Sequence, residues 1–128
     1  MVVVVCGVAG GMSFAARARR LADDDVFVVL ERDPYVYYAN CGLPYHLGGE
    51  IPDRDALILH TPQSLADSLA LDVRTRHEVL SIDPQGHEVR VRAPAPGTEY
   101  VHPYAPRAPP AGPDPLPPRS PRPRPRPP

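Results

Sequence analysis

With 128 residues, the chain has room for one domain by the usual size of ~100–200 residues. The formal net charge of −1 gives no whole-chain case for binding nucleic acid or an acidic membrane surface, and a hydrophobic share of 42% suits a globular body. Twenty prolines do not suit one, and all fourteen basic residues are Arg, which reads as coding bias rather than chemistry.

Met1 leads straight into Val2–Val5, with no basic leader before the apolar run. The run is far too short for the ~20 residues that span a bilayer. Four β-branched residues without polar alternation read as a parallel strand buried on both faces. A small-residue turn follows (Cys6, Gly7, Val8, Ala9, Gly10, Gly11), then an Ala- and Arg-rich stretch at 12–22 that predicts a helix. Asp23, Asp24 and Asp25 mark a turn, and 26–30 predicts a second buried strand ending at Glu31. Strand, turn, helix, strand and acid make one βαβ unit of the expected size.

Residues 32–60 read as mostly irregular, with Asn40-Cys41-Gly42-Leu43-Pro44 opening a short helix. Thr61 before Pro62 predicts an N-cap and a helix over 61–69. Short strands are expected at 72–75 and 78–82, a turn at 83–86, and an alternating strand at 87–92 that forms a hairpin with its predecessor. One long and one shorter helix are all that is found to cover the parallel sheet, so apolar faces and strand edges are expected to stay open and to favour aggregation. After Tyr104 the composition changes: half of 103–128 is proline, ending in a Pro-Arg repeat. The expected organisation is a partial domain at 1–104 and a disordered or polyproline tail at 105–128. The abrupt change reads as translation in a shifted frame, and the rival is a genuine tail for SH3-like or acidic partners.

A βα turn built from small residues lets backbone N–H groups approach a pyrophosphate at a helix N-terminus. Gly7, Ala9, Gly10 and Gly11 supply that, and Glu31, twenty residues after Gly11, is placed to bond a ribose hydroxyl. The strict GxGxxG pattern is not met, since Cys6 and Val8 hold its first two glycine positions. The alternative is a purely structural glycine turn. No metal-ligand spacing is present around either cysteine. Cys6 follows a buried strand and is expected to be a packed, inert thiol. Cys41 divides evenly between a buried small hydrophobe and a thiolate favoured by a helix N-terminus that Asn40 caps.

The chain resembles the single-cysteine branch of the FAD-dependent pyridine nucleotide-disulfide oxidoreductases, most closely the coenzyme A-disulfide reductases. The resemblance runs from Val2 to about Tyr104. It rests on Gly7-Val8-Ala9-Gly10-Gly11-Met12-Ser13, on Glu31-Arg32 and above all on Ala39-Asn40-Cys41-Gly42-Leu43-Pro44-Tyr45. Supporting stretches are Gly48-Gly49-Glu50-Ile51, Arg54-Asp55-Ala56-Leu57 and Asp72-Val73-Arg74. It implies a Rossmann-like α/β FAD-binding domain whose cysteine faces the flavin. Cys41 would attack CoA disulfide and hold one CoA as a mixed disulfide, which NAD(P)H then releases through the flavin.

Carried over by position, the turn from Gly7 to Gly11 would meet the cofactor with Glu31, Arg32 and Val79, the last through its backbone at the adenine end. Asn40 would lie beside substrate and flavin, and Ser13, Arg17 and Arg20 on the first helix would contact CoA. A solvated helix face is the plain alternative for both arginines. Two residues depart from the family: Cys6 replaces the usual glycine, and Tyr37 stands where Ser is common beside the substrate. Family members are over three times as long, and their nicotinamide and dimerisation domains have no counterpart here. The chain therefore reads as the FAD/CoA half-site of a homodimeric cytoplasmic enzyme, inactive alone and not expected to form that homodimer. A related NADH oxidase or peroxidase, cycling through a cysteine sulfenic acid, is the second enzymatic reading. Those relatives commonly carry His where this chain has Ala9. The third reading is a non-catalytic interaction protein using the Pro-Arg tail.

Overall fold

A computed structural model describes residues 1–105; the expectations for the tail beyond Ala105 lie outside the described residues. Strands β1 (Val2–Val5), β2 (Phe27–Glu31) and β3 (Leu71–Thr75) form a parallel sheet in the order β1-β2-β3. Helix α1 (Ala9–Leu21) carries the chain from β1 to β2. The crossover from β2 to β3 contains a 3₁₀ turn at Asn40–Gly42, the short helix α2 (Leu43–Leu47), a second 3₁₀ turn at Arg54–Leu57, and helix α3 (Pro62–Leu69). Strands β4 (Glu78–Asp83), β5 (Glu88–Arg92) and β6 (Glu99–Pro103) form a separate antiparallel meander.

Within the parallel sheet β2 is the strand with neighbours on both sides, and all five of its residues are buried. Its alternate side chains feed two cores. Phe27 and Val29 pack with Val4, Met12 and Ala15, and with Leu65 of α3, on the helical face. Val28 and Leu30 pack with Val89 and Val91 of β5 on the other. The second face of the parallel sheet is thus covered by the meander, where open apolar faces were expected. The hairpin's inward residues Val89 and Val91 lie beneath the sheet instead of forming a free-standing ribbon.

β1 departs from expectation. Only Val4 is buried along it and Val5 is exposed, because β1 is an outer strand of the described sheet and lacks the flanking cover that β2 has. α1 begins at Ala9, three residues earlier than its composition implied, since the glycine turn has already entered helical conformation. α3 starts as expected: Thr61 Oγ1 accepts from the Ser64 N–H at 3.1 Å, and Ser64 Oγ accepts from the Thr61 N–H at 3.0 Å. This closes a capping box with Pro62 in the first turn. Among the described residues, no helix is long and apolar enough to cross a membrane.

Candidate functional site

The turn between β1 and α1 keeps the geometry of a dinucleotide fingerprint although its sequence does not. Cys6, at the first glycine position, has φ +87°, a conformation that favours glycine. Gly11, at the third, lies so close to the turn that an added Cβ would sit 1.7 Å from the Cys6 carbonyl oxygen. That is the close helix–strand approach for which the fingerprint's last glycine is needed. A Cβ on Gly10 would meet open space. Val8, the N-cap of α1, provides no side-chain cap, and the first turn holds no acid. The result is an open helix N-terminus suited to an anion.

Glu31 closes this turn from the end of β2. Its carboxylate is the single buried charged group among the described residues, only 4% exposed. Oε2 accepts from the Gly7 N–H at 2.6 Å and Oε1 from the Asp33 N–H at 2.9 Å. Two charge-assisted bonds offset the desolvation of the carboxylate, and each oxygen retains a lone pair for a further donor. A second tie, Tyr37 N–H to Gly7 O at 2.9 Å, anchors the following loop to the same turn. Tyr37 itself is left-handed at φ +48° and stacks at a tilt on His60, 5.4 Å away.

A cleft of about 420 Å³ opens at the carboxyl ends of β1 and β2, where open α/β sheets bind ligands. Val8, Glu31, Arg32, Asn40 and Val79, all singled out from sequence, line it together. The Arg32 side chain is 73% exposed and lies 3.9 Å from Asp33, a pairing of little energetic weight. At Val79 the β4–β5 register slips: Val79 pairs with Val91 but Ser81 with Arg90, leaving Leu80 as an extra residue. Such a bulge re-aims strand residues beside sites, and nothing in the composition of 78–82 announced it. The lining also takes in Cys6, Tyr38 and His77, which sequence reasoning had not assigned to a site. The nearness of His77 and Val79 in sequence was the signal available for the last.

Cys6 is the clearest correction. It is exposed and faces the cleft rather than being packed behind the strand, because the chain turns left-handed there and leaves the sheet. Asn40 is the second. Ala39 precedes the helical turn and Asn40 is already inside it, its N–H bonded to Tyr38 O at 3.0 Å, so its side chain caps nothing.

Cys41 lies in the first turn of a nearly continuous helical run through Leu47, and it is exposed rather than a buried hydrophobe. Its neighbour Gly42 is buried, and a Cβ there would come within 2.6 Å of Leu57 Cδ2. The Ala39 N–H bonds Leu57 O at 2.8 Å, so this segment is seated on the loop at 54–58. Cys41 lines neither the cleft nor a second, more apolar one of about 340 Å³ beside Tyr35, Tyr38 and Leu43. Ser13, Arg17 and Arg20 lie at helical spacing on exposed α1 and line neither cleft. Among the described residues no cluster of ligand-type side chains could hold a metal ion.

Comparison with known proteins converges on one group. No family model matches the chain. It is 37% identical over 90 residues to the coenzyme A disulfide reductase of Staphylococcus epidermidis, a match covering 70% of this chain and 20% of that protein. The reduced Bacillus anthracis CoADR-RHD structure superposes with a TM-score of 0.76 at 39% identity, over 80% of this chain and 18% of the other. A water-forming NADH oxidase from Lactobacillus brevis gives 0.66 at 30% identity, over 80% and 23%. The chain spans about one fifth of the curated relative it matches. Over that stretch it is a homologue of the coenzyme A disulfide reductases.

Proposed function

We propose that the chain carries the adenosine-diphosphate part of an FAD site and the redox thiol of a flavin-dependent CoA-disulfide reductase. The observation that carries this is the convergence of Val8, Glu31, Arg32, Asn40 and Val79 on one cleft at the mouth of an uncapped helix. Bound there, FAD would supply the electrons, taken from NAD(P)H, that reduce a disulfide. The amides of Ala9, Gly10 and Gly11 would face its pyrophosphate, with space at Gly10 for close approach. Glu31 keeps lone pairs for a ribose hydroxyl while bracing the turn. Arg32 would stay solvated at the rim.

Cys41 is the proposed nucleophile. Its thiolate attacks one sulfur of CoA–S–S–CoA, forming Cys41–S–S–CoA and expelling one CoA thiolate. Asn40 sits beside it, and Ser13, Arg17 and Arg20 offer α1 contacts for CoA. Release of the second CoA needs two electrons, which on this reading NAD(P)H supplies through the flavin. Two thiols without a disulfide fit a reducing, cytoplasmic compartment.

The test is to mix the purified 128-residue chain with CoA disulfide. One CoA should be released per chain and one retained on Cys41 by mass spectrometry, and Cys41→Ser should abolish both. Sustained NAD(P)H-dependent CoA release would overturn the half-site reading. A sulfenic acid on Cys41 after peroxide, with no reaction toward CoA disulfide, would favour the oxidase-type reading instead.

A further inference from the structure

His77 stands in the cleft two residues before Val79, and three contacts hold it there. Its backbone N–H bonds the carbonyl of Glu31 at 2.8 Å, tying it to the end of β2. Its Nδ1 lies 2.8 Å from the Thr75 carbonyl. Its ring meets Tyr100 nearly edge-on, with centroids 6.1 Å apart and planes at 73°. Tyr100 is buttressed in turn, since its hydroxyl accepts from Arg74 Nη1 at 3.5 Å while Arg74 Nη2 bonds Asp72 at 2.6 Å.

A carbonyl oxygen only accepts, so Nδ1 must carry the hydrogen. In a neutral ring Nε2 is then an acceptor, and it has no partner among the described residues. His77 lines the cleft with Glu31 and Val79. With Nδ1 bonded to Thr75 and the ring against Tyr100, Nε2 is the ring nitrogen left to accept from a ligand there.

We infer that His77 is a specificity residue of this cleft, accepting a hydrogen bond from the exocyclic amine of an adenine base. The inference rests on the nucleotide reading of the cleft and adds what selects the base. Adenine presents an amine donor where hypoxanthine presents a carbonyl acceptor. A fixed acceptor welcomes the first and repels the second.

The experiment titrates the full chain with ADP and with inosine diphosphate by calorimetry at pH 8, where imidazoles are ordinarily neutral. The unaltered chain should prefer ADP by about three- to tenfold, the scale of one net hydrogen bond. His77→Phe keeps a ring against Tyr100 but no acceptor, and should bring the ratio close to one mainly by weakening ADP. His77→Gln restores an acceptor and should recover part of the preference. An unchanged ratio in His77→Phe, or equal loss of both ligands, sinks the role of His77 while leaving the cleft reading standing. Failure of the unaltered chain to bind ADP at all would remove the cleft reading and this inference together.

Discussion

Cys6 takes a glycine's place in both senses, occupying the fingerprint's first position and adopting its φ of +87°. A non-glycine residue held there costs on the order of 1–3 kcal/mol, against ~0.5–1 kcal/mol for the extra chain entropy that glycine would lose on folding. Cys6→Gly should therefore stabilise the chain by about 1 kcal/mol, raising Tm by about 5 °C in a body of this size. A lowered Tm in thermal denaturation would show that the thiol contributes packing the geometry does not reveal. Gly11 is the converse. A Cβ driven against the Cys6 carbonyl has no flexible neighbour to displace, so Gly11→Ala should cost more than ~3 kcal/mol and separate α1 from β1. A loss below ~1 kcal/mol in urea denaturation would contradict the close packing. The same exposure changes what alkylation should report. Both thiols should react with iodoacetamide, but ADP should protect Cys6, which lines the cleft, and leave Cys41 unaffected. Equal labelling of Cys6 with and without ADP would place the nucleotide elsewhere.

Among the elements, those with strong local signals were legible and those decided by neighbours were not. Thr61-Pro62 announces α3 because an N-cap and a first-turn proline are local chemistry. What the pair did not reveal was Ser64 completing the reciprocal bonds, a role more often held by Glu or Gln. Thr61→Ala should cost about 1 kcal/mol of stability, and a change within error would mean that burial of Leu65 alone holds the helix. The hairpin of β4 and β5 was legible from alternation around a turn, whereas β6 was not. There Tyr100 and His102 face inward while apolar Val101 is 52% exposed, so the alternation runs against hydropathy. The five cleft residues lie on four different segments, and all five follow from the fingerprint or the family pattern. The Val79 bulge and the Cys6 dihedral are tertiary effects with no signature in residue type. The cap assigned to Asn40 failed for a related reason: a helix boundary one residue away leaves composition unchanged and moves the cap to Ala39.

At the scale of the whole molecule, the two cores account for the faces of the parallel sheet but leave its β1 edge. Val2 donates to Val26 O at 2.8 Å and Cys6 to Leu30 O at 3.0 Å, so even-numbered residues of this stretch turn their backbone groups toward β2. By alternation, Met1, Val3 and Val5 turn theirs outward. Among the described residues only the Ala105 N–H, 3.1 Å from Met1 O, meets that side. A β-branched edge with open donors and acceptors is a template for pairing with another chain. The chain should accordingly self-associate as its concentration rises, through backbone pairing at this edge. Val3→Pro deletes an outward N–H and leaves the β1–β2 bonds of Val2 and Val4 in place, a substitution that outer strands tolerate. It should lower the apparent mass in light scattering while the far-UV dichroism stays native-like. Val4→Pro removes an inward N–H and should unfold the sheet, which separates loss of association from loss of fold. If Val3→Pro associates as readily as the unaltered chain while folded, the contact lies elsewhere. The exposed Leu43, Tyr45 and Leu47 around Cys41 would then be the next surface to substitute.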